Sequence, residues 1–149
     1  MKESLSKGLT GIAGEYYAAA ELSVQGYMAA VTLRNNESID ILAYRQADSK
    51  QFAIQVKTVQ HGSPKWPLNK KAESDFKDNK FYIFVHLKSE LTRPDFYIVP
   101  SQQLAENVKN NHKNWLAELG RQGQAHNDND LRVFKDDVDK YKERWDLID

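Results

Sequence analysis

The sequence predicts an α/β (α+β) domain built around one mixed sheet. Three observations carry this. An N-terminal segment has apolar residues at helical spacing, several short segments alternate or run apolar between polar turns, and helical patterning returns after a proline.

Residues 9–25 read as a helix, with Ile12, Ala19 and Leu22 on one stripe and Gly26 placed to end it. Three strands follow in "YMAAVTLR" (27–34), "SIDILAYR" (38–45) and "QFAIQVKT" (51–58). The separators "NNE" and "QADSK" are short and polar, as hairpin loops are. A loop with Gly62, Pro64 and Pro67 leads to a short helix expected from near Asn69. "KFYIFVHL" (80–87) is an aromatic-rich strand, and "DFYIV" (95–99) is expected to pair with it after the turn "SELTRP". Pro100 and Ser101 are expected to stop that strand and cap a helix to about 110, followed by a second short helix in "HKNWLAEL". The tail from Leu131 is read as a helix with Val138, Tyr141, Trp145 and Ile148 at intervals of three or four.

The length of 149 residues fits a single domain, 1–149, with a core over about 8–100 and a C-terminal helical extension over about 101–149. With 40% hydrophobic and 28% charged residues the composition is that of an ordinary globular protein. Net charge is zero, so a nucleic-acid partner would have to be held by a local patch. The absence of cysteine excludes disulfides, thiolate zinc sites and cysteine nucleophiles. No secretion signal or membrane span is read near the N-terminus, which predicts a cytoplasmic protein.

Three segments place polar groups where apolar ones are expected. Glu15 shares the stripe of Ile12, Ala19 and Leu22, Asp40 lies within "SIDILAY", and Gln55 and Lys57 alternate with Ile54 and Val56. If the 38–45 and 51–58 strands form a hairpin, Asp40 shares a face with Gln55 and Lys57. Two carboxylates about 4 Å apart repel by about 4 kcal/mol at an intermediate dielectric. A hard divalent cation reverses that sign and takes carboxylate and amide oxygens as ligands. A simpler account remains open, in which Glu15 pairs with Lys57, Asp40 bridges to Arg45 or Arg34, and Gln55 and Lys57 lie on a wet sheet face.

Asp40, a hairpin's separation, then Gln55-Val56-Lys57, with Glu15 on a preceding helix, resembles the PD-(D/E)XK nuclease superfamily. The glutamine-bearing form resembles Mrr-like restriction enzymes and group I intron homing endonucleases. The "G-E…A…L…G" helix and "IQVKT" strand of the latter are similar to Gly14-Glu15, Ala18, Leu22, Gly26 and Ile54 to Thr58. The resemblance implies a restriction-endonuclease-like αβββαβ core, a mixed sheet flanked by helices, with C-terminal helices beyond it. It implies a magnesium-dependent endonuclease acting on nucleic acid, DNA in the first place, with Mn²⁺ as a substitute ion. Asp40, Gln55 and the Val56 carbonyl would hold the metal, Lys57 would position the attacking water, and Glu15 would assist with metal or water. Since one site cuts one strand, a homodimer or higher homo-oligomer is implied for duplex cleavage. Ile39 stands where the proline of the name would be, and Gln55 supplies a neutral ligand. The alternative is therefore a catalytically inactive, nuclease-like module that binds nucleic acid or protein.

"PKWPLNKK" sets Lys65, Lys70 and Lys71 around Trp66, which suits phosphate contacts with a stacking ring, or equally solvated lysines with Trp66 in the core. Lys109, His112 and Lys113 read as ordinary helix surface before phosphate contacts, and His61 as a plain loop residue. His126, Asp128 and Asp130 lack a recognised ligand spacing.

Overall fold

A computed structural model describes residues 3–33 and 39–149. Arg34 and Ser38, the ends of two expected strands, and the expected hairpin loop "NNE" between them lie outside the described residues.

Helix α1 (Lys7–Val24) begins at Ser6, whose hydroxyl accepts a hydrogen bond from the Leu9 N–H at 3.3 Å. It ends before Gly26, which takes φ +92°, a conformation glycine adopts without a Cβ penalty. Its buried stripe is Thr10, Gly14, Ala18 and Leu22, a strict four-residue repeat. Glu15 therefore flanks the stripe and is half-buried. Gly14 is needed where it stands, because a Cβ there would overlap the Thr58 hydroxyl.

Strands β1 (Tyr27–Val31), β2 (Ile41–Arg45) and β3 (Gln51–Gln60) form an antiparallel meander. β5 (Lys80–Leu87) lies parallel to β3, and β6 (Asp95–Pro100) antiparallel to β5. The result is one mixed five-stranded sheet of order β1-β2-β3-β5-β6. One face, with Ile41, Phe52, Ile54, Val56, Phe81, Ile83 and Val85, packs against Ala18 and Leu22 of α1 and against Trp145 and Ile148. The other face, with Tyr82, Phe84, Tyr97 and Val99, packs on α2 (Ser101–Ala117) and on a two-stranded ribbon of β4 (Lys65–Asn69) and β7 (Leu131–Lys135).

Four expectations are corrected. Pro67 discouraged a strand at 65–69, yet it sits in a two-stranded ribbon opposite Val133, where a missing N–H is tolerated. The short helix expected from Asn69 is a single 3₁₀ turn, Lys70–Glu73, with the Asn69 side chain accepting from the Lys71 N–H. The two helices expected after Pro100 are one continuous α2, and the Ser101 hydroxyl is bonded to the Lys77 backbone rather than capping α2.

The fourth correction is the C-terminal helix. Asp139 and Glu143 take positive φ, and the Asp136 carboxylate accepts from the N–H groups of Lys140 and Tyr141. Such local side-chain bonds compete with helix formation. Tyr141, Trp145 and Ile148 are buried, but Val138 is exposed, and 131–135 is strand. The C-terminal part is thus helix, strand and irregular chain rather than a helical extension.

Candidate active site

The last β2–β3 ladder pair is Ile41 with Ile54, so β3 runs on past the start of β2. Asp40 sits at that point of divergence. Its N–H donates to the Ile54 carbonyl at 2.9 Å, and its own carbonyl accepts from the Thr32 N–H at 2.9 Å. The Val56 N–H, which faces the space β2 vacates, donates to Asp40 Oδ2 at 2.7 Å. An interior N–H without a strand partner is costly, and a carboxylate acceptor satisfies it with a charge-assisted bond. By strand alternation the Val56 carbonyl opens onto the same edge.

Burial pushes the Asp40 carboxyl above its ordinary value, opposed by the Val56 N–H and by the charges of Lys57 and Lys80. Gln55 and Lys57 are half-buried and face away from α1, in register with Tyr82 and Phe84 of β5. The Asp40 carboxylate thus meets β3 at Val56 and feels the charge of Lys57, with Gln55 on the same strand just before Val56. Glu15 belongs to the opposite layer. Its neighbour Gly14 abuts Thr58, which puts Glu15 near the level of Lys57 but across the sheet from the lysine's face.

Arg45 is not a partner of Asp40, since it binds Asp48 at 2.6 Å and Asp149 at 3.0 Å. Lys65, Lys70 and Lys71 are exposed. Trp66 is 1% exposed, its indole N–H donates to the Val85 carbonyl, and its ring packs on Phe84, Tyr97 and Phe134. Its ring belongs to the core, which corrects the expectation of a base-stacking residue there. His61 offers its carbonyl to the buried His86. His112 bonds Asp128 at 2.7 Å, while His126 stacks on Trp115. Among the described residues no three His, Cys, Asp or Glu side chains gather as a metal cluster.

One neighbour of the site was not foreseen. Lys80, only 4% exposed at the head of β5, binds Asp75 at 2.6 Å and lies 5.5 Å from the Tyr82 ring centroid. Burial and the Asp75 charge push the Tyr82 hydroxyl up to about 12. A lysine opening an aromatic strand reads as a strand edge, and only the β3–β5 register reveals its nearness to Asp40.

The donor set fits a hard cation in kind. It offers a desolvated carboxylate, an amide and a backbone carbonyl, all oxygen, with no nitrogen or sulfur. A carboxylate held above its ordinary pKa by burial is a group that a nearby cation would relieve.

No protein-family model matches the sequence, and no curated protein matches it. Among solved structures, the bacterial homing endonuclease I-Ssp6803I is similar with a TM-score of 0.54 and 14% identity, over 97% of this chain and 93% of that one. Hjc, a Holliday junction resolvase from Archaeoglobus fulgidus, matches at TM-score 0.47 and 14% identity, over 86% and 85% of the two chains. The mixed sheet, its flanking helices and the likeness to I-Ssp6803I together show that the chain carries a restriction-endonuclease-like fold.

Proposed function

We propose that the chain is a metal-dependent endonuclease that hydrolyses phosphodiester bonds of nucleic acid, with DNA as substrate and Mg²⁺ or Mn²⁺ as cofactor. The observation that carries this is Asp40, a desolvated carboxylate bonded to the Val56 N–H where β2 leaves β3, with Gln55 and Lys57 on the adjoining strand. On this reading Asp40, the Gln55 amide oxygen and the Val56 carbonyl hold the ion, and Glu15, in the layer across the sheet, is left out of the set. When bound, such an ion lowers the pKa of a water and offsets charge gathering on the phosphate. The Lys57 ammonium orients the attacking water and stabilises the negative charge developing on the phosphoryl oxygens. Exposed Lys65, Lys70 and Lys71 supply phosphate contacts. Duplex cleavage follows from a symmetric pair of such sites.

The test is nicking of supercoiled plasmid by purified protein with Mg²⁺ or Mn²⁺. Asp40→Ala and Lys57→Ala should each abolish it. Cutting that survives both substitutions overturns the reading.

Gln55 and the zero net charge favour a second reading, an inactive nuclease-like binding module. Calorimetry separates the two. Absence of Mg²⁺ and Mn²⁺ binding at millimolar metal, with and without DNA, supports the inactive module.

A further inference from the structure

The second core layer covers the β5–β6 half of one sheet face, yet the β1–β2 half of that face carries exposed apolar side chains. Cross-strand register arranges them in rows. Met28 stands opposite Tyr44, and Ala30, Leu42, Ala53 and Lys80 follow one another across four strands. One step further along β3, Gln55 stands beside Tyr82, and Asp40, just before Ile41, reaches the Val56 N–H. Rows two residues apart are separated by about 7 Å. A cleft of about 540 Å³ is lined by the apolar rows and by the Asp75–Lys80 pair. That volume falls within the range of small-molecule sites, about 300–1,000 Å³.

We propose that this cleft takes one unpaired nucleotide of the strand being cut, so that the substrate class is nucleic acid with an unpaired or extruded base. The proposal rests on the nuclease reading above and deepens it. Leu42 and Met28 are 52% and 59% exposed, and with Ala30 and Ala53 they make a floor with no hydrogen-bond donors. That floor offers a phosphate nothing and the flat face of a base a packing surface, while Lys77 and Gln51 also line the cleft and suit the phosphate and sugar of the same nucleotide. Tyr44 stands at one wall, with its hydroxyl donating to Ser49 at 2.8 Å. Among the lining groups the Asp75 carboxylate accepts and the Asn79 and Gln51 amides donate, which is the mixture a base edge requires, with buried Lys80 holding Asp75 in place. Because the cleft adjoins Asp40, a base seated in it leaves its own phosphodiester next to Asp40 and Lys57. Removing a base from a stack costs a few kcal/mol and costs least where it is already unpaired, so the site selects for such positions.

Binding is measured by fluorescence anisotropy in EDTA, where no cutting occurs. A matched DNA duplex is compared with the same duplex carrying a single bulged 2-aminopurine. The bulged duplex should bind about tenfold more tightly, with a change in 2-aminopurine emission. Leu42→Glu at an exposed position should remove that preference and the emission change, lowering affinity for both duplexes toward one common value, while thermal melting stays as in the parent. Equal binding of the two duplexes, or a preference that Leu42→Glu leaves intact, overturns the proposal. So does a dimer in sedimentation that Leu42→Glu dissolves, which would assign the face to a second copy. Plasmid cutting without the bulge preference removes this proposal and keeps the nuclease. Preference without cutting under any metal removes the nuclease instead.

Discussion

Gly14 of α1 and Thr58 of β3 lie in direct apposition, with no room for a side chain on the helix. That contact sets the distance between helix and sheet, and with it the placement of Glu15. Gly14→Ala should destabilise the fold by about 1–3 kcal/mol, as overpacking does. Adding Thr58→Ala should recover part of the loss. Urea unfolding of the two variants checks this, and a Gly14→Ala protein as stable as the parent would contradict it.

Thr58 carries a second consequence. Its hydroxyl is buried and, among the described residues, has no hydrogen-bond partner. An unsatisfied buried hydroxyl costs free energy that a methyl group does not. Thr58→Val should therefore melt no earlier than the parent, and a marked drop in melting temperature would reveal a partner for the hydroxyl.

The raised pKa of Asp40 makes metal-free stability depend on pH. Between the ordinary carboxylate value of 3.8 and the raised folded value, the native state binds more protons than the unfolded one. Stability from this group is therefore fully present below the ordinary value and is lost as pH rises through the folded one. Asp40→Asn keeps an acceptor for the Val56 N–H without the buried charge. Without metal it should melt later than the parent at neutral pH, and the difference should vanish in acid. Adding Mg²⁺ should stabilise the parent and leave Asp40→Asn unchanged. Differential scanning calorimetry across pH reads all three outcomes.

Gln55→Glu adds a second negative oxygen donor beside Asp40. Metal affinity measured by titration calorimetry should rise, and metal-free stability should fall through carboxylate repulsion. Unchanged or weaker affinity would show that residue 55 is not a ligand.

Asp75→Ala leaves the Lys80 ammonium buried without its partner and should cost about 1–3 kcal/mol. Lys80→Met, which replaces the buried charge with an apolar chain of similar length, should cost less. Chemical denaturation of the pair ranks them, and the reverse ranking would mean that Asp75 is not what offsets the buried charge.

Much of the fold was legible because its signals are local. The helix α1, the polar turn between β2 and β3 and the aromatic β5 are each readable within about a dozen residues, although the buried stripe of α1 runs through Thr10, Gly14 and Ala18 rather than Ile12, Glu15 and Ala19. Gly14, Ala18, Leu22 and Gly26, picked out by resemblance, turn out to be the contact with Thr58, two fully buried positions and the helix terminus. The pairing of Asp40 with the Gln55 strand followed from hairpin chemistry. What stayed hidden was non-local. β4 and β7 recognise each other across the length of α2, and neither has a turn to announce it. The tail's apolar spacing imitated a helix because Tyr141, Trp145 and Ile148 reach the core from an irregular chain. Lys80 gained its meaning only from a parallel strand partner.

The end of the described chain also closes what its beginning builds. Trp145 and Ile148 complete the core under α1, and the Ile148 carbonyl accepts from the Arg45 guanidinium at 2.9 Å and the Tyr27 hydroxyl at 3.3 Å. A nascent polypeptide can fold its first meander early, but that layer stays unsealed until Ile148 has cleared the ribosomal exit tunnel. Chains cut short before Arg144 lack that seal and should be proteolysis-prone.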